Sequence, residues 1–302
     1  MEKYFPPSEL VLNDLGQVYH LCLFPENVSN KVILVGDPAR VELVSTFLDQ
    51  ILFKIKNREF STVTGLYKGV KLSVISTGIG TDNIDIVLNE LDALFNIDLK
   101  TRKVKETLTK LEIVRIGTCG LIQKDRGIHS YILSTGAIGM DNVAHFYPLN
   151  YTNFEKDYIT NFINFFSFPK QISPYFIEAS GKMISKFDSE KITKGITVTA
   201  SGFYGPQGRS LRLGLEINDL NEKLERFSFF ETRIENFEME TSALLALGKG
   251  LGHECISICL GIANRPANTF SKGYDEEMKG LINYVLNTII AHNMFNLYFL
   301  II

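Results

Sequence analysis

The sequence predicts an α/β fold layered on a mainly parallel sheet. Three observations carry this. Short apolar runs such as Val32-Ile33-Leu34-Val35 and Cys255–Leu260 suit strands buried on both faces. Several such runs end in a glycine turn, after which apolar residues recur at helical spacing. No repeat, linker or low-complexity break divides the 302 residues, so one domain spanning residues 1–302 is expected.

The first unit sets the pattern. Val32–Val35 leads into Gly36-Asp37-Pro38-Ala39-Arg40, where Asp37 suits an N-cap and Pro38 the first helical position. Val41, Val44, Phe47 and Leu48 then follow at helical spacing. Arg40 falls in the first turn, beside unpaired N–H groups and the positive end of the helix dipole, and Gly36 leaves room for a ligand. These residues suit an anion site, and equally an ordinary βα turn with a surface arginine. Ile51–Phe53, Ser61–Tyr67 and Lys71–Ser76 read as strands. The last ends in the turn Thr77–Gly80, with Asp82 or Asn83 as cap of a helix turning Ile86, Leu88, Leu91 and Leu94 toward a core. Asp98–Lys110, rich in basic residues, reads as a solvated excursion, since no aromatic side chains interleave with it as a nucleic-acid surface would need.

Leu111–Ile116 reads as a strand running into a glycine turn at Gly117–Gly120, and Ser130–Ser134 as another strand. Asn153–Phe166, Glu178–Lys186, Asn218–Arg226 and Glu240–Gly250 read as helices, and Ile196–Ala200 and Cys255–Leu260 as strands. Ser201–Arg209 is an irregular loop. Glu276–Ile290 begins a closing helix, and the uncharged stretch Leu281–Ile302 carries Asn283, Asn287, His292, Asn293 and Asn296 near helical spacing. That pattern suits a packed or interface-buried amphipathic helix better than a membrane span.

Composition narrows the function. A net charge of −3 gives no general attraction to nucleic acid or an anionic membrane, so an anionic ligand must be held locally by a few arginines. Residues 1–20 lack the apolar run of a signal peptide. Cys22, Cys119, Cys255 and Cys259 lack zinc-ligand spacing; Cys255 and Cys259 read as core residues of one strand, and a reducing cytoplasm is expected. Arg115 stands inside an apolar strand, which is costly without a fixed anionic partner, either a bound ligand or a buried carboxylate. Two arginines, the Thr118 hydroxyl and glycine together suit a phosphate, which guanidinium groups bond bidentately.

Eight short pieces then appear in order: Tyr19-His20-Leu21, Gly36–Arg40, Arg58-Glu59-Phe60, Ser76–Gly80, Arg115–Thr118, Phe203–Arg209, Phe237–Glu240 and Asn264-Arg265. In these the chain resembles the nucleoside phosphorylase-I superfamily, most nearly its uridine phosphorylases. The resemblance implies a three-layer α/β/α fold with a twisted mixed β-sheet, and reversible phosphorolysis of uridine to uracil and ribose 1-phosphate in nucleoside salvage. It implies homodimers with shared active sites, or hexamers built from them. By position, Gly36, Arg40, Arg115 and Thr118 would hold phosphate, with Arg58 from the neighbouring subunit. Thr118, Met239 and Glu240 would hold the ribose, with His20 of the neighbour at the 5′-hydroxyl. Phe203, Gln207, Arg209 and Glu238 would read the base. Arg115, Glu240, Gln207 and Arg209 would carry the reaction. No cofactor is implied beyond phosphate as co-substrate; Glu59 resembles a position that helps hold a structural potassium ion in some relatives.

Two departures bear on this. Asp82-Asn83 stands where the family usually has Pro-Ser, and Asp85 where a small residue is common, placing extra negative charge near the phosphate pocket. Purine-specific phosphorylases and nucleosidases of the fold use an Asp as acid toward the purine N7, and this chain has Asn264 there. Those purine enzymes, and a non-catalytic nucleoside-binding homologue, are the alternatives.

Overall fold

The computed structural model describes residues 4–166 and 168–299, with side chains described as far as residue 291. The elements follow in chain order. Strand β1 (Lys31–Val35) and helix α1 (Pro38–Ser45) form the first unit. Next come β2 (Gln50–Asn57), β3 (Phe60–Tyr67), β4 (Val70–Ser76) and α2 (Thr81–Asn96). Two-residue strands β5 (Ile97–Asp98) and β6 (Lys103–Val104) pair with each other, so the basic excursion contains a small hairpin. Then β7 (Glu112–Leu121), β8 (Tyr131–Gly139), α3 (Asn153–Phe166), β9 (Tyr175–Glu178), α4 (Gly181–Lys186) and β10 (Ile192–Thr199) follow. The chain continues through α5 (Leu220–Arg226), β11 (Ser228–Phe229), β12 (Thr232–Glu238), α6 (Thr241–Leu251), β13 (Glu254–Asn264), β14 (Thr269–Phe270) and α7 (Asp275–Phe299).

One mixed sheet runs β11-β12-β10-β8-β13-β7-β1-β4-β3-β2, with β9 on β8 and β14 on β13. β1 lies parallel between β4 and β7, and β7 lies parallel to β13, while β13 meets β8 antiparallel. The far end of β7 also pairs antiparallel with β12, Asn236 opposite Leu121 and Phe237 opposite Gly120. This pairing closes β7, β13, β8, β10 and β12 into a ring, and it brings the ends of β7 and β12 together. Helices cover both faces. One layer buries Ile84, Leu88 and Leu91 of α2 against Ala243 and Leu244 of α6; the other buries Val41 and Val44 of α1 with Met278, Leu281 and Val285 of α7. The architecture is the expected three-layer α/β/α sandwich. A third cluster, with Tyr158, Phe162, Phe176, Phe227 and Ile234, packs α3 and α5 over the β12 end and accounts for the aromatic segment around residues 154–176.

Several local expectations are corrected. Gly117–Gly120 is not a turn: β7 runs through it to Leu121. A Cβ on Gly117 would strike the Arg115 guanidinium and come within 2.9 Å of the Cys259 sulfur, so this glycine serves close approach rather than turning. Residues 175–178 are a strand, and the helix starts at Gly181 with Ser180 as its cap, accepting from the Met183 N–H. The N-cap of α2 is Gly80, which has φ +101°; Asp82 lies inside the first turn. Ile86 is only half-buried, and Ile84 and Val87 take its place in the core. Phe47 and Leu48 lie past the end of α1 but still pack against its core. β12, rich in polar residues, carried no strand signal. In the closing helix Asn283 is exposed and Asn287 accepts from the Tyr67 hydroxyl at 3.1 Å; His292, Asn293 and Asn296 lie outside the described side chains. Among the described residues no helix is long and apolar enough to cross a membrane.

Candidate active site

The carboxyl ends of β1, β7, β12 and β13 open on one cavity of about 290 Å³. Its wall includes Gly36, Arg40, Arg115, Thr118, Phe203, Gln207, Arg209, Glu238, Met239 and Glu240, residues drawn from four distant segments of the chain. Strand-end clefts of open α/β sheets are where ligands gather.

At the β1 end, Asp37 caps α1 as expected, accepting from the Arg40 N–H at 3.0 Å. The Arg40 guanidinium lies 3.5 Å from the Asp37 carboxylate. A Cβ on Gly36 would meet only the Gly78 carbonyl, at 4.0 Å, so the chain itself does not fill the space beside it.

At the centre, Arg115 has the buried carboxylate partners that its place in an apolar strand requires. Its Nη1 lies 3.2 Å from Glu238 and donates to the Cys259 sulfur at 3.4 Å, and its Nη2 bonds Glu240. A guanidinium has five N–H donors, and the buried Nε of Arg115 has no partner among the described residues. The buried salt bridge therefore leaves donor capacity unused. Burial opposes the charge, but Glu240 and Glu238 override it and raise the Arg115 pKa. Glu240, the residue before α6, shows the reverse balance: burial pushes its carboxyl up, and Arg115 pulls it only partly back. Its other oxygen accepts from the Gly80 N–H at 2.8 Å.

Glu238 is held by its own chain. It lines the cavity, but its oxygens accept from the Thr199 hydroxyl at 2.6 Å and from the N–H groups of Glu240 and Thr241 at 2.9 Å, besides Arg115. A carboxylate so committed to its own chain orients Arg115 and Glu240. Thr118 and Met239 are half-buried beside this network.

At the far end, the loop after β10 folds back on itself. Arg209 lies 3.8 Å over the Phe203 ring, donates to the Phe203 carbonyl and donates to Gln207 Oε1 at 2.6 Å. Arg265 brackets the same loop, bonding the Gln207 carbonyl and, at 2.7 Å, the Gly208 carbonyl. Burial lowers the pKa of both arginines. The side chain of Asn264 is fully committed elsewhere: Nδ2 donates to the Gln123 and Arg126 carbonyls at 2.9 and 2.7 Å, and Oδ1 accepts from the Ala267 N–H at 3.0 Å.

His20 and Arg58 are not in this wall. They sit together elsewhere, with Arg58 5.8 Å from the Tyr19 ring and Asn57 donating to the His20 carbonyl at 2.8 Å. Glu59 and Asn83 converge on Gly78 nearby. Asp85 does not face the cavity; it accepts from the Tyr147 hydroxyl. Sequence reasoning missed Ile79, Cys119, Phe237, Ile262 and Phe270, which complete the wall. Ile79 and Phe270 are 68% and 71% exposed, and apolar residues beside glycine turns or short hairpins were the one signal that could have marked them.

The model of the phosphorylase superfamily matches residues 30–286. A uridine phosphorylase of Thermococcus kodakarensis is 28% identical over 92% of this chain and 88% of its own length. A DeoD-type purine nucleoside phosphorylase of Oceanobacillus iheyensis is 36% identical, but over only 36% of this chain and 42% of that protein. Among solved structures, a Trypanosoma brucei nucleoside phosphorylase described as showing uridine phosphorylase activity superposes at TM-score 0.86 with 28% identity, covering 94% of this chain and all of that one. With the family model spanning most of its length, the chain belongs to the phosphorylase superfamily.

Proposed function

We propose that the protein is a uridine phosphorylase, cleaving uridine with phosphate to uracil and ribose 1-phosphate, reversibly, in nucleoside salvage. The observation that carries this reading is the set of chemistries gathered in one cavity: Arg40, Arg115 and Thr118, then Glu240 and Met239, and also Gln207, Arg209 and Phe203. Cleaving the glycosidic bond builds positive charge on the sugar and negative charge on the base. Phosphate gripped by Arg40 and the unused donors of Arg115 is nucleophile and counter-charge together, and gains chiefly from positioning. Glu240 clamps the ribose hydroxyls. Gln207 donates through its amide nitrogen while Arg209 occupies one lone pair of its Oε1, so the pair offers donors to a uracil carbonyl and keeps an acceptor for N3–H. Those donors meet the charge that develops as uracil departs. The bracketed Asn264 supplies no acid for a purine N7.

The site is completed across a homodimer, single or within a hexamer, by Arg58 at phosphate and His20 at the 5′-hydroxyl; their joint placement outside this chain's own cavity supports that reading. The position of Glu59, like that of the residue which helps hold a structural potassium ion in some relatives, is the ground for proposing such an ion at the interface. The unpaired cysteines suit a reducing cytoplasm.

Release of the free base measured with and without phosphate over a nucleoside panel tests this reading. Release is expected to require phosphate, with uridine ahead of inosine by at least about a hundredfold in kcat/KM, because unmatched buried polar groups discriminate strongly. Comparable rates on inosine, or phosphate-independent release, would overturn it.

A further inference from the structure

One carboxylate of α2 grips the segment that carries His20. Glu90 accepts from the His20 backbone N–H with both oxygens, at 2.9 and 3.1 Å, and from the Leu21 N–H at 2.8 Å. The same carboxylate lies 2.6 Å from the imidazole Nδ1 of His20. Three donors of two consecutive residues thus share one acceptor group. The imidazole is further bounded by Tyr19 and Phe60, edge to face, at 5.0 and 6.3 Å between ring centres. Asn57 anchors the His20 carbonyl from the strand before Arg58. The His20 side chain nevertheless remains 29% exposed, against 15% for Glu90.

A tie that served only to hold the loop would need the backbone bonds and nothing more. The contact with Nδ1 adds two things a loop does not require. It fixes the plane of the imidazole, and it assigns the Nδ1 proton to Glu90, which leaves Nε2 as the nitrogen available to a ligand. A histidine that must meet a single hydroxyl across a subunit boundary needs both.

We propose that Glu90 is a positioning residue for the neighbouring subunit's active site, orienting His20 so that Nε2 meets the 5′-hydroxyl of the nucleoside bound there. This rests on the ribose role of His20 given above, and Glu90 itself touches no substrate.

The test compares kcat/KM for uridine with that for 5′-deoxyuridine, which lacks the hydroxyl, in the full-length assembled enzyme. Glu90→Gln keeps an oxygen for the backbone N–H groups but turns an N–H toward Nδ1. The uridine to 5′-deoxyuridine ratio is expected to fall by at least about fivefold, a loss confined to the contact with one group of the substrate. In a His20→Ala background Glu90→Gln should lower that ratio no further, since the two act as a unit. A merely structural role would lower both substrates together and leave the ratio unchanged, which would overturn the proposal. So would an equal drop with and without His20. If His20→Ala alone leaves the ratio at the wild-type value, the ribose reading of His20 falls, and that outcome is distinct from a Glu90 failure. Should Glu90→Gln not fold, Glu90→Asp carries the same measurement: its shorter carboxylate withdraws from the ring, and an unchanged ratio overturns the proposal equally.

Discussion

At the residue scale, the cost of each unusual placement identifies what it is for. Arg58 occupies the two-residue turn between β2 and β3 with φ +54°, a conformation that favours glycine. Strain of this kind, on the order of 1 kcal/mol, persists where a side chain is needed. Arg58→Gly should therefore leave the melting temperature unchanged or raise it, while phosphorolysis at subsaturating phosphate falls at least about tenfold. An undiminished rate would remove Arg58 from the phosphate site. Arg115 presents the opposite case, a charge whose burial is compensated by Glu238 and Glu240. Arg115→Ala leaves two buried carboxylates facing each other, so stability should drop by about 3 kcal/mol or more, and transition-state stabilisation by about 2 kcal/mol or more. The pH profile separates the two effects. Burial already holds the Glu240 carboxyl above its ordinary range and Arg115 pulls it down, so removing the guanidinium must raise it further. The acid limb of the rate profile should move to higher pH in the variant, and an unmoved limb would mean that Glu240 is not the group titrating there.

At the element scale, the first unit, the strand–glycine–helix pattern and the helix over residues 153–166 were legible because each announces itself locally. The Asp37 cap, the proline at the first helical position and the spacing of Val41 and Val44 need no tertiary partner to be recognised. β12 was not legible for the converse reason. Its Glu235, Asn236 and Glu238 are buried, yet each has a polar partner brought by tertiary structure: Arg126 at 2.8 Å, Thr197 at 2.8 Å and Thr199 at 2.6 Å. A strand stabilised by hydrogen-bonded polar groups has no apolar run to read. The partners of Glu238 were hidden for the same reason, since they come from β7, β10 and the start of α6. Gly117 is the sharpest instance. Read locally it is a turn residue; in β7 it is the gap that admits the Arg115 guanidinium. Gly117→Ala should cost about 1–3 kcal/mol of stability through overpacking and should also weaken phosphate use by displacing Arg115. A stable variant with wild-type phosphate dependence would show that Arg115 does not need this space.

At the scale of the whole molecule, the proposed site joins the cavity of one chain to the His20–Arg58 cluster of a second copy. On that reading each subunit supplies Glu240 to its own site and Arg58 to its partner's. Pairing Arg58→Ala with Glu240→Ala makes the geometry testable without measuring any distance. In a mixed dimer the site on the Arg58→Ala chain keeps its own Glu240 and receives an intact Arg58, while the other site lacks both. Random mixing makes half the dimers mixed and half of their sites complete, so co-refolded variants should recover about a quarter of wild-type activity from two nearly inactive parents. If each residue served its own subunit, every site in the mixture would lack one of the two and nothing would be recovered. Mixed dimers shown to form by differential tagging, yet no more active than their parents, would overturn the shared site and with it the cross-subunit roles of both Arg58 and His20.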